Sequence, residues 1–162
     1  MSDRALEVYL NDHFAGAMLG SDLAQSIRDR HEGTPLGDVM ASMATEIERD
    51  RQTLADLMDR MDVSRNPVKQ AAGWVAEKAS RVKFSGLVSG EPDQGAFMAL
   101  ESLALGVQGK ACLWKALKQV AGQYPPLASI NFDELITRAE SQHATLERER
   151  MEAGRRALAN DD

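Results

Sequence analysis

Four residues far apart in the chain, His13, Asp50, Lys110 and His143, have the side chains from which an internal polar site can be built. Each falls on the apolar stripe of a helical segment, where a polar group must find a partner to replace its lost hydration. Asp50 and Lys110 would form an ion pair there, with His13 and His143 as hydrogen-bonding neighbours. The competing chemistry is a mononuclear metal site made of His13, Asp50 and His143. Lys110 opposes it, because an ammonium at the same level repels a metal cation and competes for the carboxylate. No glycine-rich phosphate loop, nucleophile elbow or paired-cysteine element accompanies these residues, so no catalytic constellation is read.

The elements that must position these side chains are helical. Leu6, Leu10, His13, Ala17, Gly20, Ala24 and Ile27 recur at alternating spacings of four and three, the seam of a packed helix. Gly33 stops that helix, and Thr34 followed by Pro35 starts a second one. The second seam is Leu36, Met40, Met43, Ile47, Asp50, Leu54, Leu57 and Met61. A third carries Leu100, Leu103, Val107, Lys110, Trp114 and Leu117, and Tyr124-Pro125-Pro126 ends it. Asn131 with Glu134 resembles a capping box for a fourth, which carries Leu135, Ala139, Leu146 and Ala153. Long helices are therefore expected over about residues 2–30, 35–61, 92–121 and 131–158, within one domain of 162 residues. Asn66-Pro67 and the stripe Val68, Ala72, Val75, Ala79 and Val82 predict a short extra helix over about residues 67–84.

Composition agrees with an all-α chain. The hydrophobic fraction is 43% and the charged fraction 27%, typical of a globular protein. A formal net charge of −6 argues against nucleic acid as a partner. Cys112 is the only cysteine, which excludes an internal disulfide, and its neighbours Ala111, Leu113 and Trp114 suggest a buried small hydrophobe. With no apolar run long enough to span a bilayer, the expected address is the cytoplasm. One basic stretch stands out: between Arg65 and Gly86 there are five cations against the single anion Glu77. The Arg65–Lys83 helix could touch anionic lipid, although valines buried across a bundle with lysines in water account for it more simply.

The long link between the second and third long helices is enough to return the chain along the length of a bundle, making those helices parallel. This order, together with Tyr9-Leu10-Asn11-Asp12 opening the first helix and Glu140-Ser141-Gln142-His143 in the fourth, resembles the ferritin-like superfamily. The resemblance covers most of the chain and implies a ferritin-like four-helix bundle with a long crossover. It also implies an iron or manganese centre, in which Glu46, Glu101, Glu140 and His143 match carboxylate and Glu-x-x-His positions. Some relatives act in stress physiology, and helical hairpins of this kind commonly dimerise, so a homodimer is expected.

The match to a di-iron centre is incomplete. Such centres take one carboxylate from each of two helices and Glu-x-x-His from each of the other two. Here the second helix reads Glu46-Ile47-Glu48-Arg49, with a guanidinium where histidine should stand. Taking the last turn near Pro126, Glu101 and Glu140 differ in level by about 11 residues, or ~16 Å along the helices. Lys110 and His143 lie at about the same distance from that turn and are expected to face each other. The reading is thus a bundle without an intact di-iron centre, bearing one polar layer of His13, Asp50, Lys110 and His143. A second layer is expected at Asp22, Glu46 and Glu101. The run from Glu147 to Arg156 alternates in charge, as a solvated face does.

Overall fold

The computed structural model describes residues 2–65 and 92–159, and every regular element among them is helical. Four long helices account for the architecture: α1 (Ser2–Arg30), α2 (Pro35–Arg60), α3 (Pro92–Val120) and α4 (Phe132–Leu158). Two single-turn 3-10 segments, Ala121–Gln123 and Pro125–Leu127, join α3 to α4. The expected short helix at 67–84, and with it most of the basic Arg65–Lys83 stretch, lies outside the described residues.

Local chemistry sets the helix ends. At the α1–α2 corner Gly33 takes a positive φ of 76°, which a side chain would resist. Thr34 then caps α2: its Oγ1 accepts from the Gly37 amide at 3.2 Å and donates to the His31 carbonyl at 2.6 Å. Pro35 occupies the first turn, where its missing N–H costs nothing. Asn131 does the same work for α4, accepting from the Glu134 amide at 3.2 Å.

The helix directions follow from contacts between distant residues. Arg60, at the end of α2, donates to the Pro126 carbonyl at 3.0 Å and to Ser129, both in the α3–α4 connection. The ends of α2 and α3 therefore meet, and the two helices run parallel. Arg156 reaches Asp93 and Lys118 reaches Asp133, so α4 returns antiparallel to α3. Ser21 on α1 bonds Glu48 on α2, closing the first hairpin.

The core divides into two clusters along this axis. One gathers Leu10, Phe14, Leu54, Met58, Trp114, Leu117, Phe132 and Leu135 near the α3–α4 connection. The other gathers Ala24, Ile27, Met40, Ile47, Leu100, Val107 and Leu146 near the α1–α2 corner. Helix α1 packs on α2 and α3, and α3 on α4, whereas α2 and α4 approach each other less closely. Between the clusters, in this wider α2–α4 space, lies the only layer of the described interior in which oppositely charged groups meet.

Candidate functional site: a buried ion-paired layer

Asp50 projects from the buried face of α2 between Ile47 and Leu54 and is only 2% exposed. A carboxylate at that depth must be paired. Lys110 Nζ on α3 donates to Asp50 Oδ2 at 2.6 Å. From α4, Arg138 donates to Oδ1 through Nε at 2.8 Å and forms an ion pair through Nη2 at 2.7 Å. Gln142, also 2% exposed, donates through Nε2 to Asp50 Oδ2 at 3.1 Å and to Glu46 Oε2 at 3.0 Å. Its Oε1 accepts from Lys110.

The layer is balanced in charge, with Asp50 and Glu46 set against Lys110 and Arg138. Burial pushes the Lys110 ammonium below its ordinary value of 10.5, while the Asp50 carboxylate pulls in the opposite direction. Both Asp50 oxygens are occupied, one by a guanidinium and the other by an ammonium and an amide. Long side chains from α3 and α4 bridge the gap that apolar residues of α2 would leave unfilled.

Two polar contacts continue along the helices. Glu48 accepts from Arg51 Nε at 2.9 Å and from Ser21 Oγ at 2.6 Å. These hydrogen bonds, Arg51's first, hold its carboxyl down at about 2, well below the usual 4.5. Toward the end of α4, Arg150 spans Glu101 at 2.9 Å and Glu147 at 2.6 Å and lies 5.8 Å from the centre of the Phe97 ring.

Asp50 and Lys110 therefore meet, while the two histidines lie elsewhere. His13 is half-buried on α1 with its ring edge-on to Tyr9, at 4.6 Å between centroids. Burial lowers its pKa, opposed by the nearby Asp12. His143 is one residue past Gln142, rotated ~100° around the helix, and lines a shallow surface depression with Ala144, Glu147 and Met151. The histidine predicted to face Lys110 is replaced by the glutamine beside it. Asp22 is exposed, and its neighbour Ser21 is the buried residue of that turn. Cys112, expected in the core, is exposed because it falls on the outward side of α3.

The residues that the resemblance assigns to a metal do not converge. Glu101 is held by Arg150, and Glu140 is an exposed partner of Lys115 at 2.7 Å. Glu46 accepts from Gln142, and His143 faces outward. Along α3, Glu101 and Lys110 are ~14 Å apart. Among the described residues no three His, Cys, Asp or Glu side chains are grouped so as to hold a metal ion. The donor set thus does not fit a dinuclear centre, and the position at mid-bundle holds cations of the protein itself.

Arg138 and Gln142 were missed from sequence. Gln142 had a signal: Leu135, Ala139, Gln142 and Leu146 continue the four-three-four spacing of the α4 seam. Arg138 had none, since it flanks the seam and enters only through the length of its side chain.

Comparison with protein-family models, curated proteins and solved structures returned no match for this chain. None of the described helices is long and apolar enough to cross a membrane.

Proposed function

We propose that this chain is a ferritin-like four-helix bundle in which an ion-paired layer stands where relatives carry metal, and that it works as a binding or structural module whose partner is a second copy of itself. One observation carries the reading: Asp50, the buried carboxylate at mid-bundle, accepts from both Lys110 and Arg138. A carboxylate saturated by two fixed cations has no lone pair directed at a metal, and each cation would repel one. The parallel course of α2 and α3 supports the ferritin-like part, because it requires the long crossover of that fold. The layer's role in this reading is to fix helix register: only one alignment brings Asp50, Lys110, Arg138 and Gln142 together.

The test is metal content after purification without chelators, followed by titration with Fe(II) and Mn(II). The expected result is no stoichiometric metal and no change in thermal stability on titration. Near-stoichiometric iron or manganese that disappears in Glu140→Ala and His143→Ala would overturn the proposal and restore an oxidase-like reading.

A further inference from the structure

The donors that reach Asp50 come from one half of the molecule. Lys110 lies on α3, Arg138 and Gln142 lie on α4, and the carboxylate is the contribution of α2. Glu46, the other acceptor in the layer, is also on α2. The layer therefore divides into donors on the α3–α4 hairpin and acceptors from α2.

The hairpin positions its donors through contacts of its own. Ion pairs join α3 to α4 from end to end: Asp93 with Arg156, Glu101 with Arg150, Lys115 with Glu140 and Lys118 with Asp133. Lys110 donates to Gln142 Oε1 across the two helices, which leaves the Gln142 amide nitrogen to face Asp50. Arg138 Nη1 lies 3.4 Å from Glu134 Oε1, one turn back on α4. None of these contacts involves α2.

The donor set has the form of a carboxylate receptor. Arg138 brings Nε and Nη2 to Oδ1 at 2.8 and 2.7 Å, while Lys110 Nζ and Gln142 Nε2 reach Oδ2 at 2.6 and 3.1 Å. A planar anion with two oxygens satisfies both sets at once, which a spherical halide cannot do. Water also has a way in. The Lys110 and Arg138 side chains are 14% and 16% exposed, Glu46 beside Gln142 is exposed, and α2 and α4 stand apart at this level.

We propose that the α3–α4 hairpin carries a carboxylate-binding site and that Asp50 is its tethered ligand, an autoinhibitory contact by which α2 keeps the site filled. A tethered group acts at high effective concentration, so a free monocarboxylate does not displace it. Once the Asp50 side chain is withdrawn, two buried cations lack an anion and the site takes a small carboxylate from solution. The inference rests on reading the layer as metal-free, and the two fail separately. Iron or manganese bound through Glu140 and His143 overturns that reading and leaves the carboxylate response standing. A missing carboxylate response overturns only the receptor.

Thermal melts of the full chain in sodium formate, against sodium chloride of equal ionic strength, test the site. Asp50→Gly removes the methylene with the carboxylate, giving a free anion the room it needs at van der Waals distance from the backbone. This variant should bind formate with a dissociation constant of ~1 mM or weaker, the bound for a ligand of so few atoms. A constant of ~10 mM would raise the folding equilibrium constant about 10-fold in about 100 mM formate. The wild-type chain should gain no more from formate than from chloride. Adding Lys110→Met or Arg138→Met to Asp50→Gly should weaken formate binding about 10-fold or more. If Asp50→Gly is unfolded in chloride, formate should restore its helical circular dichroism. An Asp50→Gly chain that responds alike to the two salts, folded or unfolded, overturns the proposal. A formate response that survives loss of both cations does the same.

Discussion

Asp50 and Lys110 meet at 2.6 Å on helices that run in the same direction. Two parallel helices joined by a long segment hold no register through a tight turn, so the alignment must come from side chains. The ion pair supplies it at one level, and the two apolar clusters supply it on either side.

Replacing Asp50 by Asn should therefore be among the most damaging single changes. It leaves Lys110 and Arg138, each mostly buried, without their shared anion. The expected cost is ~3–5 kcal/mol, the range for breaking a buried pair from one side. Urea denaturation of Asp50→Asn against wild type measures it, and a loss under ~1 kcal/mol would remove the layer from any account of stability.

The layer should also be strongly non-additive. Asp50→Leu combined with Lys110→Met, Arg138→Met and Gln142→Leu removes Asp50 together with its three partners and leaves Glu46, which is exposed, to water; such apolar replacements are often neutral or stabilising. The combined variant is expected to be more stable than Asp50→Asn alone. If register is what the layer contributes, the combined variant should show broadened amide spectra despite its stability.

Two glycines give opposite predictions. A Cβ on Gly37 would stand 2.0 Å from the His31 carbonyl oxygen, a backbone atom that cannot move aside. Gly37→Ala should cost ~1–3 kcal/mol by overpacking the α1–α2 corner. At Gly16 nothing lies within 4 Å of a Cβ, so Gly16→Ala should stabilise by ~0.5–1 kcal/mol. Paired thermal melts of the two variants would show the opposite signs.

Glu48 gives a pH dependence. Its carboxyl is lowered from 4.5 to about 2 by Arg51 and Ser21, so the folded state holds the proton less tightly than the unfolded state does. The contribution is complete above 4.5 and is lost as pH falls toward 2. With the side chain 42% exposed, solvent screening limits it to under ~1 kcal/mol. Stability of Glu48→Gln should be lower than wild type at neutral pH and should converge with it below the window. A constant difference down to pH 2 would assign the effect to packing instead.

Much of this protein was determined locally, and so was visible in its sequence. Thr34 before Pro35 caps a helix wherever the pair is placed, because the cap bonds join residues within one turn. The seams of α2 and α3 are equally local, since one face of a helix repeats at a fixed spacing. The α1 seam departs from its expected course in the middle of the helix, where Phe14 and Ser21 are buried in place of their neighbours His13 and Gly20, while Leu10, Ala24 and Ile27 are buried as expected. Levels along the axis were also legible, as they follow from counting residues back from a turn.

What the tertiary structure alone decided is azimuth and reach. Gln142 and His143 share a level and differ by ~100° in direction, and only the packing of α4 on α3 shows which one faces Lys110. Arg138 enters the layer because α2 and α4 stand farther apart than the other neighbouring helices, leaving room for a long cation. Cys112, expected to be buried, is exposed one step around α3 from the buried Leu113. The sequence sets which residues are helical and how high each one sits. Which of two adjacent side chains is buried depends on where the neighbouring helices lie, a property of the assembled chain that no single segment contains.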